Sequence, residues 1–382
     1  MSRVYRVVIV ILSICSVAVI GSREETRLVS VLFRHGNRAP ESAESELYPK
    51  DPHLNNTFYP AGPGGLTNEG KRREYKLGQM LRERYNDFLG DVYIPEDVSA
   101  RSTDVARTKM SLQLVLAGLY PPAKIQKWSS DINWQPIPTT YVPMRLDHDF
   151  FPHLSCPKYL EEANRVETSP EAAEVIEAIR PIMERLTTIT GRPVKEVLDM
   201  WSLYNGLMAE AALNLTLPKW TTDFFPDGFL LDGAILEYRL LNWNNLMKRL
   251  NGGMLLKRMI DDMKAVANGT STGARKINLF SGHELNVSAF LIALGLFKPH
   301  VPEYSSAVVL ELIRRDDADY VKIMQYLGIP PEFEDQEIPN CGKLCPLEKF
   351  IELMREVTPS DIEMECKSDS DTIAPAKGLI PL

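Results

Sequence analysis

Residues 27–40 read RLVSVLFRHGNRAP, and how this stretch folds decides the rest. Residues 27–33 form a short apolar, β-branched run, the pattern of a buried strand. The run ends in Arg34-His35-Gly36-Asn37-Arg38. In α/β sheets, ligands bind beyond the carboxyl ends of the strands. Two arginines bracketing a histidine supply planar donors suited to phosphate oxygens. Gly36 would let the backbone approach such a ligand closely. Taken alone, the pentad reads equally well as an exposed basic turn holding an incidental histidine.

Outward from this strand, a loop rich in Pro and Gly runs through Ala61-Gly62-Pro63-Gly64-Gly65. Thr67 then caps a helix that places Leu77, Leu81, Tyr85 and Phe88 on one face. Residues 92–100 read as extended, and 103–120 as a helix stopped by Pro121-Pro122. Beyond residue 131 the pattern turns helical, with segments 157–166, 171–190, 194–212 and 244–267. Strand signals return at 276–280, 307–312 and 320–327, with a helix over 285–294. At 382 residues the chain is too long for one ordinary core. The spacing predicts an α/β fold: a central, mostly parallel sheet flanked by helices, interrupted by a smaller helical insertion. The α/β domain is expected over 23–130 and 254–382, and the helical insertion over 131–253.

Two more strand-to-helix junctions carry suitable chemistry. Ser281-Gly282-His283-Glu284 sets a histidine beside a carboxylate, a phosphate ligand and a proton donor together. Read blandly, Glu284 is only a favourable first-turn acid. At Arg101-Ser102-Thr103-Asp104-Val105-Ala106-Arg107-Thr108, Arg107 lies one turn into a helix and can point back to its anion-favouring N-terminus.

The charge balance, 43 Lys+Arg against 51 Asp+Glu for a net −8, opposes the basic excess of a general nucleic-acid surface. Arg3 and Arg6 precede an apolar run over residues 7–20. That run is shorter than the roughly 20 residues of a membrane span and suits a signal peptide, expected over residues 1–22. An uncleaved anchor is the rival reading. Cleavage would take the net charge to −10, since two arginines leave. No membrane span is expected afterwards, and the product is expected to be secreted or luminal. Cys156, Cys341, Cys345 and Cys366 would then remain, an even number that suggests two disulfides with three pairings open. The short Cys341–Cys345 spacing makes a local bridge plausible. Sequons at Asn55, Asn214, Asn268 and Asn286 fit a secretory route.

The three motifs in order, Arg34-His35-Gly36-x-Arg38-x-Pro40, Arg101-Ser102-Thr103-Asp104-Val105-x-Arg107-Thr108 and His283-Glu284, resemble the histidine acid phosphatase family. The likeness runs over about residues 27–366. The stretches YPKDP (48–52), LRERY (81–85) and FSGHE (280–284) are most similar to its insect venom acid phosphatase branch. This resemblance implies a phosphoglycerate-mutase-like α/β domain with a smaller helical domain over the site. It implies His35 as a nucleophile forming a phosphohistidine, and Arg34, Arg38, Arg107 and His283 as the phosphate-holding set. Glu284 falls at the proton-donor position, where many relatives have Asp, and Asn37 at a variable one. Disulfides Cys156–Cys366 and Cys341–Cys345 are implied as well. So is metal-independent chemistry without a cofactor, acting on a small phosphate monoester at acid pH. A homodimer, and a secreted location (venom included) or the lysosomal lumen, complete the expectation.

The rivals are a phytase-like phosphatase, a phosphoglycerate-mutase-like phosphotransferase, and a secreted binding or venom component with vestigial catalysis. The signal segment disfavours the second, and the intact set of site residues the third. Gly269-Thr270-Ser271-Thr272-Gly273 mimics a serine-hydrolase elbow, but with a helix before it and a strand after it, the reverse of what the elbow needs. His148 and His153, with Asp147 and Asp149, match no strong metal-ligand spacing and read as a surface loop.

Overall fold

The computed structural model describes residues 24–42, 45–271 and 275–368, so the expected signal peptide lies outside the described residues. Among the described residues there are eight strands: β1 (Glu25–Arg34), β2 (Val98–Ser102), β3 (Thr140–Tyr141), β4 (Ile277–Gly282), β5 (Ala307–Arg315), β6 (Ala318–Tyr326), β7 (Phe333–Gln336) and β8 (Cys345–Pro346). They form one sheet in the order β3-β2-β4-β1-β5-β6-β7, with β8 beside β6. The half that carries the motifs, β3-β2-β4-β1, is parallel, as expected. β5, β6 and β7 extend it as an antiparallel flank. The β5–β6 hairpin turns at Asp316-Asp317, both at positive φ, which suits a tight two-residue connection.

β1 explains why the sheet is central. Its side chains alternate with period two, sending Leu28 and Leu32 into one core and Val29, Val31 and Phe33 into another on the opposite face. Polar Ser30 is fully buried among them and accepts from Asn278 Nδ2 on β4 at 3.3 Å.

On one face lie α1 (Asn68–Leu89), capped by Thr67 Oγ1 accepting from Gly70 N–H, and α2 (Ala106–Leu119). They pack so closely that a Cβ at Gly78 would fall 2.1 Å from the Val115 carbonyl oxygen. The helical region follows: α3 (Pro152–Ser155), α4 (Pro157–Glu167), α5 (Pro170–Thr190), α6 (Val197–Ala212), α7 (Phe229–Leu240), α8 (Asn245–Leu250) and α9 (Gly252–Ala267). Then come α10 (Glu284–Ala293), α11 (Leu347–Met354) and α12 (Asp361–Met364).

Several details depart from the sequence reading. The single helix expected over 244–267 breaks at Asn251, and two glycines restart it. A Cβ on Gly252 would strike Ala289 of α10 at 2.3 Å, so close packing rather than propensity sets the break. α7 had no counterpart in the prediction, although Leu230, Ala234 and Tyr238 recur at helical spacing and are fully buried. Phe150 and Phe151, assigned by sequence to the insertion, pack into the core that also holds Leu28 and Leu32. The helical cores begin about Cys156, with Tyr159, Val166 and Met247 in one and Met183, Trp201 and Tyr238 in another. Disulfides join Cys156 to Cys366 and Cys341 to Cys345.

Candidate active site

The register of the parallel strands assembles the site. Arg34 pairs with Gly282 across β1–β4, and Ser102 with Ser281 across β2–β4, so all three motifs leave the sheet at one edge. The ladder continues one residue past each strand. His35 N–H donates to the Gly282 carbonyl at 3.0 Å, and Thr103 N–H to that of Ser281 at 3.0 Å. Gly36 serves packing at this turn rather than ligand approach, because a Cβ there would lie 2.5 Å from the Gly70 carbonyl oxygen in α1.

His35 is 1% exposed, and its two ring nitrogens are distinct. Nδ1 lies 2.9 Å from the Gly36 carbonyl oxygen, which can only accept, so Nδ1 carries the proton. Nε2 is therefore the lone-pair nitrogen, and Arg107 Nε donates to it at 3.1 Å. The Arg107 Nη1 donates to Glu41 at 2.7 Å. Arg34, fully buried, donates through Nη1 to the Pro302 carbonyl at 2.6 Å and lies with its guanidinium carbon 4.0 Å over the Tyr304 ring. Its Nε stands 3.5 Å from Glu284. Arg38 is held by both oxygens of Glu46, at 2.7 and 2.5 Å. The structure thus brings all six expected side chains together, with the His35 and His283 rings 5.4 Å apart.

His283 is bound differently. Its Nε2 lies 3.0 Å from Thr103 Oγ1, itself 2.7 Å from Thr108 Oγ1. The one Thr108 hydroxyl proton is also in reach of the Thr103 and Val105 carbonyls, at 3.1 and 2.9 Å, so the Thr103 hydroxyl can either donate to Nε2 or accept from it, and Nδ1 is a buried atom without a hydrogen-bond partner. Arg34 Nε and Nη2 and Arg38 Nε are likewise buried without a hydrogen-bond partner. Each unmade donor costs about 1–3 kcal/mol in a folded interior. A tetrahedral oxyanion set among them would satisfy several at once.

Burial, and then the positive charges of Arg107 and Arg34, hold the His35 imidazole well below its ordinary range. Burial and the same two arginines depress His283 likewise. Both rings are therefore neutral where a free imidazole would be protonated.

Comparison with known proteins agrees with this geometry. A model of the histidine phosphatase superfamily (branch 2) matches residues 25–325. The chain belongs to this superfamily. Venom acid phosphatase Acph-1 of Apis mellifera is 47% identical over 91% of this chain and 89% of its own. Prostatic acid phosphatase of Bos taurus is 34% identical over 90% and 88%. Among solved structures, Hafnia alvei phytase in complex with tartrate superposes with a TM-score of 0.66, covering 88% of this chain and 98% of its own; its 17% identity speaks for the fold alone.

For this histidine phosphatase, sequence reasoning missed the supporting shell. Glu41 and Glu46 sit in the loop after the first motif, and acidic residues there were the available signal. Thr103 and Thr108 were quoted only as part of a motif. Tyr304, beneath Arg34, had no local signal. Asn37 does not face the cluster in its contacts: its Oδ1 accepts from Arg73 at 2.8 Å. Asp147 and Asp149, expected on a surface loop, are buried and grip Arg101. His148 bonds Ser155, and His153 is buried. Among the described residues, no His, Cys, Asp and Glu cluster has metal-binding geometry. Of the four sequons, Asn55, Asn214 and Asn268 are exposed. Asn286 is a correction: it is buried in α10, donates to the Phe150 carbonyl and accepts from His283 N–H, which leaves no room for a glycan.

Proposed function

We propose that the protein is an acid phosphatase that hydrolyses small phosphate monoesters through a phosphohistidine on His35 Nε2. The single observation that carries this reading is the fixed tautomer of His35: its proton is tied to the Gly36 carbonyl and its lone pair sits among arginines. Arg34, Arg38, Arg107 and His283 hold the phosphoryl oxygens and neutralise the charge that develops there. Nε2 forms the P–N bond while the P–O bond to the alcohol breaks, and Glu284 gives the leaving oxygen its proton. Water then attacks phosphorus with Glu284 as base, releasing inorganic phosphate and restoring neutral His35. The depressed basicity of His35 keeps the nucleophile unprotonated at acid pH.

The helical segment between β3 and β4 acts as a cap, a reading supported by α6, whose Met208 sulfur lies 3.4 Å from Arg34 Nη1. Residues 1–22 direct secretion, and the name of the Apis relative favours venom over the lysosomal lumen. Among the described residues, no helix is long and apolar enough to cross a membrane. Among the described residues the outer edge of β3 has no strand partner, which supports a homodimer formed across that edge. The deciding experiment is hydrolysis of an aryl phosphate near pH 5 with a chelator present, followed by mass analysis of a rapidly quenched reaction. Phosphate on His35 is expected. Turnover with no phosphohistidine, or loss of turnover on chelation, overturns the mechanism. Inositol hexakisphosphate as a competing substrate separates a phytase-like preference.

A further inference from the structure

A second cavity, of about 400 Å³, opens within the helical region between α4, α5, the start of α6, α7 and α8. Its size falls in the range of small-molecule sites. Leu160, Ile176, Leu240 and Met247 supply apolar wall. Four carboxylates, Glu167, Glu177, Glu196 and Glu237, line it against two cations, Arg180 and Lys195, and Arg180 is already engaged by Glu177 at 2.5 Å.

Glu237 is the telling residue. It is 6% exposed, and among the described residues its carboxyl has neither hydrogen bond nor ion pair. The nearby Tyr159 hydroxyl gives its proton to the Leu241 carbonyl instead. Burial, with the charges of Glu196, Glu167 and Asp199, pushes the Glu237 carboxyl up to about 8. A carboxyl buried without a partner destabilises the fold unless something else answers it.

We propose that this cavity is a binding site for an amphipathic monocation, an ammonium group carrying an apolar body, with the ammonium on Glu237 and the body against Leu160, Ile176, Leu240 and Met247. The apolar wall selects the body and the uncompensated acid selects the charge. The site shares no residue with the phosphate cluster, so it stands independently of the phosphatase reading.

The test is calorimetric titration of the full chain with tryptamine and with its neutral isostere tryptophol, near pH 9, where Glu237 is mostly ionised and an alkylammonium still charged. Tryptamine is expected to bind at least about tenfold more tightly than tryptophol. Glu237→Gln should abolish that preference. Ala163→Phe, which fills the cavity and leaves Glu237 in place, should weaken both ligands. Aryl phosphate hydrolysis should be unchanged in both variants, which verifies their fold. Equal affinities for the two ligands, a preference surviving Glu237→Gln, or undiminished binding to Ala163→Phe would each overturn the proposal.

Discussion

His35 and His283 stand at the ends of adjacent parallel strands, one residue beyond the paired Arg34 and Gly282, and they share almost everything. Both are 1% exposed, and both are depressed by burial and by the same two arginines. They differ in what holds the other nitrogen. His35 gives Nδ1–H to a carbonyl oxygen and so presents a lone pair. His283 meets at Nε2 a hydroxyl that can accept as well as donate, and its Nδ1 has no hydrogen-bond partner. Residue type, strand position and field do not separate an attacking imidazole from its neighbour. A single hydrogen-bond partner does.

The largest effect should come from removing the lone pair. His35→Ala is expected to lower kcat at least about 10⁴-fold while leaving inorganic phosphate inhibition in place, because the arginines and His283 remain. His283→Ala should weaken phosphate binding as well as slow turnover. If the two variants behave alike in phosphate affinity, the division of roles between the histidines fails. Next in size, Glu284→Gln should slow hydrolysis of an alkyl phosphate about 10²-fold and that of a nitrophenyl phosphate far less, since nitrophenolate leaves without a proton. Equal losses for the two leaving groups would remove Glu284 from the donor position.

The sequence made the first half of this comparison legible and hid the second. β1, β4 and their terminal motifs are local signals: a β-branched run, an abrupt polar turn, a capped helix. That β1 and β4 are neighbours follows from the crossover through a helical segment of more than a hundred residues, and the residues themselves do not state the register. The relay through Thr103 to Thr108 spans β2 and α2 and reaches His283 only because Ser102 pairs with Ser281. Tyr304 under Arg34 is equally non-local, whereas Glu46 on Arg38 lies in the loop directly after the motif. Gly36 was legible as special and misread in purpose, since its constraint is the backbone of α1. The antiparallel flank was visible as strands but not in direction, because its tight turn is Asp316-Asp317 rather than a glycine pair.

A smaller effect would sharpen the relay itself. Thr103→Val keeps the shape and removes the hydroxyl, so His283 Nε2 loses the partner that orients the ring. Phosphate inhibition should weaken about tenfold with kcat changed less, and Thr103→Ser should restore it. A purely structural loss would lower both together and would not be rescued by serine.

The smallest effect concerns stability rather than rate, and its sign follows from the shared depression of the two rings. A histidine held below its unfolded value, about 6.5, binds fewer protons in the folded chain than in the unfolded one once pH drops below that value. Stability is therefore complete above about pH 6.5 and declines as pH falls, by about 1.4 kcal/mol per pH unit for each ring that stays neutral. Buried Glu74 and Glu237, both pushed up to about 8, tilt the curve the other way, favouring the folded chain as pH falls. The informative quantity is thus the difference between wild type and variant in urea unfolding at pH 7 and pH 5. His35→Gln and His283→Gln should each recover stability at pH 5 relative to pH 7, and by similar amounts, because burial and the same arginines act on both. A recovery confined to one variant would mean that the two strand ends, alike in geometry, do not share one electrostatic environment.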